Sequence, residues 1–177
     1  MRILAIDPGN TESGWCVIDA TTCRPITLGK DDNDDLLDWC YDHDTFADVD
    51  LVAIEMIASY GMAVGKTVFE TCVWIGRLSE ALRRKGIEVE LVYRRAVKDH
   101  HCDRNPKAKD ANVTQALKDR FAPGVRNHGK GTKADPGWFY SFRADVWAAY
   151  ALAVYVADTA TPDPAHPRVE LTIEETP

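Results

Sequence analysis

The chain has 177 residues, enough for one domain with a sizeable core, and 45% hydrophobic content beside 28% charged residues is globular, neither disordered nor fibrous. No apolar run approaches the ~18 residues needed to cross a bilayer, and no basic stretch leads into an apolar signal segment, so a soluble protein of the cell interior is expected. A net charge of -7 would argue against a polyanionic partner if it were evenly spread, but residues 83–133 carry 14 Lys/Arg against 6 Asp/Glu, while residues 1–82 carry 5 against 15.

That asymmetry leaves two readings open, a basic face for phosphates or solvated helix surface. Along the chain, Ile3, Leu4, Ala5 and Ile6 read as a strand buried on both faces, stopped by Pro8 and Gly9 with their turn dihedrals. Asp7 is thereby held at the strand's exit, either as a turn cap or as a carboxylate facing a ligand. Residues 14–19 and 25–29 predict a second and a third strand, and their short separations predict an antiparallel meander. Residues 31–50 are densely acidic, with an apolar stripe of Leu36, Leu37, Trp39, Cys40 and Tyr41. They predict a helix begun at Asp31 or Asp32 whose outer face repels phosphate and points away from any nucleic acid.

Residues 51–55 repeat the opening arrangement, an apolar run ending in Glu55, and a loop carrying Tyr60 and Met62 follows. Val64, Val68, Cys72, Ile75, Leu78 and Leu82 recur at three- and four-residue spacing, which predicts a long amphipathic helix closed by Gly86. Its second strip, Phe69, Val73 and Trp74, serves either core packing or the seam of a homodimer. Residues 87–93 predict another strand. Arg94, Arg95 and Lys98 come next, then His100, His101 and Cys102, zinc-type ligands with no matching second pair.

Asp110 is expected to cap a helix running to Phe121. Residues 123–137, rich in Gly, Lys and Pro, predict a mobile loop facing a substrate. Residues 141–157 predict the last helix, with a packing face of Ala148, Ala149, Ala151, Leu152, Ala153 and Val156. Asp145 falls in or near its first turn, where the helix dipole alone favours an acid. Residues 158–177 are expected to form a poorly packed tail. The five cysteines (Cys16, Cys23, Cys40, Cys72 and Cys102) are odd in number and lack paired short spacings, which predicts reduced thiols.

Four stretches stand out in order: Ile3-Leu4-Ala5-Ile6-Asp7-Pro8-Gly9, Val52-Ala53-Ile54-Glu55, the run from Thr67 to Arg77, and Arg143-Ala144-Asp145-Val146-Trp147-Ala148-Ala149. In these contexts they resemble the RuvC-like Holliday junction resolvases of the ribonuclease H-like superfamily, particularly compact phage-type members. The resemblance covers residues 1–156 and leaves the tail aside. It implies an α/β fold, a five-stranded mixed sheet with its first three strands antiparallel and two more parallel to the first, flanked by helices. Residues 1–157 would then be the nuclease domain.

The resemblance also implies that Asp7, Glu55 and Asp145 meet as catalytic and metal-binding carboxylates. Their repulsion would be relieved by raised pKa values or by divalent cations. Oxygen ligands with few histidines favour Mg2+, or Mn2+ in its place, over zinc, and two ions roughly 4 Å apart would serve phosphodiester hydrolysis. Many relatives carry a further acid three residues before the last aspartate. Here that position is Phe142, so either one ion has fewer protein ligands or Asp110 or Asp135 substitutes.

The implied protein is a metal-dependent endodeoxyribonuclease that resolves Holliday junctions or other branched DNA as a homodimer, in the cytoplasm of a bacterial or phage-infected cell. Two alternatives stand beside it: a nuclease acting on structured RNA or an RNA–DNA hybrid, and a non-catalytic nucleic-acid-binding protein of the same fold. Phosphate contacts are expected from Arg94, Arg95, Lys98, Lys107, Lys109, Lys130 and Lys133. Tyr60 and Met62 either wedge into a junction centre, where stacking is worth roughly 1–3 kcal/mol per base, or fold back onto the core.

Overall fold

The computed structural model describes residues 1–160 apart from His43, Tyr60 and Met62. At its centre is a five-stranded sheet in the order β3-β2-β1-β4-β5, with β1 at Arg2–Pro8, β2 at Glu12–Asp19, β3 at Pro25–Asp32, β4 at Leu51–Met56 and β5 at Glu88–Tyr93. The first three strands form an antiparallel meander, β4 adds in parallel to β1, and β5 in parallel to β4. The meander is the one the strand spacing predicts, and the mixed sheet is the one the resemblance implies. Tight turns suffice for the meander, whereas the parallel step from β4 to β5 needs a crossover, which α2 (Lys66–Arg84) supplies.

Period-two alternation divides β1 between two cores. Ile3 and Ala5 face one helix layer and Leu4 and Ile6 the other, all four fully buried. Beneath Leu4 and Ile6 lie α1 (Asn33–Tyr41) and α2, which contribute Leu36, Leu37, Ile75, Leu78 and Leu82. The acidic α1 is thus on the sheet face opposite Ile3, Ala5 and Asp7. The first face is covered by α3 (Arg94–His101), α4 (Asp110–Phe121) and α5 (Ala144–Ala160). Because α5 is apolar nearly all round, it can lie between the sheet and α3 and α4. Its fully buried Tyr150 donates a hydrogen bond to the Cys23 carbonyl at 3.0 Å and accepts one from Trp138 Nε1 at 2.9 Å, so the hydroxyl is satisfied.

The acidic stretch is helical only over α1. Asp32 caps it by accepting from the Asp34 N–H at 2.9 Å, and Asp42 then closes a turn by accepting from the Thr45 hydroxyl at 2.6 Å. Residues 94–101 form a helix that apolar spacing does not announce, because Val97 is its one fully buried side chain. Asp110 is not the cap of α4 but its first residue. The Asn112 side chain instead accepts from the Lys109 N–H at 2.9 Å, and Asp110 is left to ion pairs.

The last helix begins and ends three residues later than expected. Before it, Phe142 packs against Phe139, Trp147 and Tyr150. At its far end Asp158 accepts from Arg120 at 2.6 and 2.8 Å and pairs with His100 at 2.8 Å, so the residue expected to open the tail closes the helix. The 123–137 stretch, expected to be a mobile loop, folds on itself. Thr132 donates to the Asp135 carbonyl and Phe139 to that of Gly129, each at 2.9 Å, and a side chain on Gly131, at φ +66°, would collide with the Gly137 backbone. No helix among the described residues is long and apolar enough to cross a membrane.

Candidate active site

Asp7 leaves the buried run of β1 on the α5 side of the sheet, and the turn beyond it is rigid. Gly9 donates to the Glu12 carbonyl at 3.1 Å, while buried Asn33 donates to the Gly9 carbonyl at 3.0 Å and accepts from the Ser13 hydroxyl at 2.5 Å. The parallel register pairs Ile6 with Ile54. One residue further along each strand, Asp7 and Glu55 therefore point to the same face.

The antiparallel registers pair Asp7 with Gly14 and Gly14 with Lys30. This row across three strands has a gap at its middle, and α5 fills it. A Cβ on Gly14 would lie 2.6 Å from the backbone carbonyl of Asp145 and 2.7 Å from its Cβ. Only glycine lets the helix come so close to the strand, and Asp145 consequently sits over Gly14, between Asp7 and Lys30.

β1, β4 and α5 thus bring the three expected carboxylates to one end of the sheet, and their fields interact. Burial, then repulsion from Glu55, push the Asp7 carboxyl up to about 7; Arg94 opposes the rise, and Asp145 and Asp110 add to it. Burial also raises Glu55, with Arg94 opposing. Arg94 places Nη1 2.8 Å from Glu55 Oε2 and Nη2 2.8 Å from Asp110 Oδ1, and Lys98 Nζ lies 3.0 Å from the same Asp110 oxygen. Burial works to raise Asp110, but its bonds from Arg94 and Lys98 prevail and hold it below the usual carboxylate range. On the opposite flank Lys30 Nζ lies 2.9 Å from Asp145 Oδ2 and 3.0 Å from Glu12 Oε2.

Asp7 and Asp145 open onto a cleft of about 360 Å³ shared with Arg94, Asp110, Thr114 and Trp147. Glu55 is turned onto Arg94, with its side chain 15% exposed. The donor set is all oxygen and so suits a hard divalent cation. It is not drawn into a closed cage, since among the described residues no three Asp, Glu, His or Cys side chains form such a group. The tight cluster expected of Asp7, Glu55 and Asp145 is loosened because Arg94 draws one carboxylate and Lys30 another. Asp7 has no ion pair among the described residues, so its desolvation is offset only in part, by the charge of Arg94.

Asp7 accordingly gives the fold a pH dependence. Its value of about 7 lies above the ordinary 3.8, so the ionised form is the disfavoured one. The folded state carries no penalty below pH 4, loses stability as the pH climbs from 4 to 7, and stays penalised above that. In chelator, Asp7→Asn is expected to raise the melting temperature at pH 8 by roughly 5–10 °C, a gain of a few kcal/mol, and to leave it unchanged at pH 4. Equal shifts at both pH values, read by calorimetry, would show that the gain does not come from this carboxylate.

Of the seven cations expected to meet phosphate, Arg94 and Lys98 are engaged as described and Arg95 is held 2.9 Å from Asp99. Lys107, Lys109, Lys130 and Lys133 are exposed and make no ion pair among the described residues. Tyr60 and Met62 lie outside the described residues. Of the two acids considered in place of Phe142, Asp110 lines the cleft and Asp135 does not. The His100 and His101 rings serve to join α3 to α5, through Asp158 and through the Ala151 carbonyl at 2.9 Å; burial holds His101 down at about 4. Sequence reasoning missed Gly14, Lys30 and Glu12. Two signals were there to find: a glycine within a strand marks a close backbone approach, and Lys30 is the sole Lys or Arg between Arg24 and Lys66.

No protein-family model matches the chain, and no curated protein matches it. Among solved structures it is similar to Thermus thermophilus RuvC in complex with Holliday junction substrate, with a TM-score of 0.66 at 16% identity over 90% of this chain and 94% of that one. It is similar as well to a second Thermus thermophilus RuvC structure, with a TM-score of 0.62 at 16% identity over 91% and 98% of the two chains. Agreement over nearly the whole of both chains, with the strand order and flanking helices described above, identifies the fold as RuvC-like, of the ribonuclease H-like type.

Proposed function

We propose that this chain is a divalent-metal-dependent nuclease that cuts Holliday junctions or other branched DNA by phosphodiester hydrolysis, acting as a homodimer. The observation that carries this reading is the delivery of Asp7, Glu55 and Asp145 by β1, β4 and α5 to one end of a RuvC-like sheet. Asp7, Glu55 and Asp145 would hold Mg2+ or Mn2+, two ions in all, which when bound supply Lewis acidity toward the phosphate and offset charge on the leaving oxygen. The chain's own groups do the positioning. The rigid turn after Asp7 and the close approach at Gly14 fix two carboxylates on elements that cannot shift independently. Arg94 lines the cleft where a phosphate would enter, and Phe142, a buried hydrocarbon side chain with no donor atom, offers no ligand there.

Phe69 and Val73 are 63% and 60% exposed on the outer side of α2, so the core reading fails for them, whereas Trp74 does pack inward, with Arg77 stacked 4.2 Å from its ring. An exposed apolar pair on a long helix suits a seam with a second copy, which would present two clefts to symmetry-related strands. DNA arms would be drawn by Lys107, Lys109, Lys130 and Lys133. Changing all four to Ala is expected to reduce the slope of log affinity against log salt by about 0.9 for each phosphate no longer neutralised, up to about 3.6. An unchanged slope in filter-binding titrations would move the interface elsewhere.

The function itself is tested by incubating the protein with a labelled four-way junction, a linear duplex and an RNA–DNA hybrid, each with Mg2+ and with chelator. Magnesium-dependent cutting confined to the junction supports the proposal. Preferential cutting of the hybrid would make the protein a ribonuclease, and tight binding without cutting of any substrate would make it a non-catalytic binder.

A further inference from the structure

We infer that Lys30, braced by Glu12, is a positioning residue that aims the Asp145 carboxylate into the cleft; this rests on the nuclease reading, in which Asp145 holds metal. Asp7, Gly14 and Lys30 are cross-strand partners in one row, and residues opposite one another in a sheet project to the same face. Since Gly14 has no side chain, Asp145 lies over the middle of the row with Asp7 on one flank and Lys30 on the other. The Lys30 ammonium binds Oδ2 of Asp145 at 2.9 Å, and the carboxylate's second oxygen is left for a ligand in the cleft that Asp145 lines.

Glu12 settles what kind of influence Lys30 exerts. A lone ammonium beside a metal ligand would repel an entering cation and compete with it. Glu12, 3.0 Å from the same Nζ, cancels that charge and tethers an otherwise flexible side chain from the start of β2. The pair is therefore neutral toward an ion in the cleft, and what remains is its geometric hold on Asp145. Bonds of this kind, one step out from a metal ligand, typically account for about 10–100-fold in metal affinity or activity.

The test is Mn2+ binding to the full chain, followed by electron paramagnetic resonance of the free ion, with single-turnover junction cleavage and melting temperature measured alongside. The double change Glu12→Gln, Lys30→Met leaves the pair's net charge at zero and removes only the brace. Its Mn2+ affinity is expected to fall about tenfold with the melting temperature unchanged, whereas Lys30→Arg, which keeps a donor for both carboxylates, should stay close to wild type. Wild-type affinity in the double variant overturns the inference, and so does tighter binding, which would make Lys30 a competitor of the metal. Should the double variant melt far below wild type, Glu12→Gln, Lys30→Gln, equally neutral as a pair but polar at both positions, decides by the same readout. A wild-type protein that binds no Mn2+ contradicts the nuclease reading itself, an outcome distinct from failure of the brace.

Discussion

Asp7→Asn, Glu55→Gln and Asp145→Asn are each expected to lower the single-turnover rate of junction cleavage on the order of 10³-fold or more, while junction affinity changes little. Each substitution removes ligand charge but keeps the shape of the side chain. The exposed lysines proposed to attract DNA are untouched, and binding should tighten slightly as repulsion between phosphate and carboxylate falls. Asp7 should show the largest loss. Glu55 and Asp145 already have cationic partners in Arg94 and Lys30, whereas Asp7, half-buried and without an ion pair among the described residues, depends most on an entering cation. Quenched-flow cleavage and gel shifts in chelator separate the two effects. A variant that cuts at the wild-type rate removes its residue from the centre.

Gly14→Ala is expected to damage stability and chemistry together. The added methyl would meet the Asp145 backbone at 2.6 Å, and backbone cannot rotate aside as a flexible side chain can. Either β2 or α5 must move, an overpacking cost of roughly 1–3 kcal/mol, which in a chain of this size lowers the melting temperature by roughly 3–10 °C. The displaced Asp145 then weakens cleavage as well, since about 1 Å of misplacement can cost on the order of 10²-fold. A Gly14→Ala protein that melts and cuts like wild type would show that α5 does not press on β2 at this point.

How much of this could be read in the sequence depended on whether the deciding interaction was local. β1 and β4 were legible because each is a short apolar run ended by one acid, and α2 because its buried residues keep helical spacing. α3 was not, since a basic helix that buries only Val97 carries no apolar period. Asp110 was misread for a related reason. Locally it is a good cap, but Arg94, a long way back along the chain, holds it at 2.8 Å in the fold. The three carboxylates were visible as residue types in repeated contexts, while the groups that hold them were not. Lys30 reaches Asp145 only through the register of two strand pairs, and a slip of one residue would turn it to the other face of the sheet. Phe142, which departs from the pattern of the family the sequence resembles, is explained by packing: it contacts Phe139, Trp147 and Tyr150 where the chain leads into α5.

Whether Asp7, Glu55 and Asp145 form a divalent-metal centre is decided by anomalous diffraction from crystals soaked in Mn2+. Anomalous density is expected in the cleft against Asp7 and Asp145, with Glu55 drawn off Arg94 toward it, and its loss is expected in Asp7→Asn. A cleft without such density, or manganese found only beside His100 and His101, would contradict the assignment of these three carboxylates.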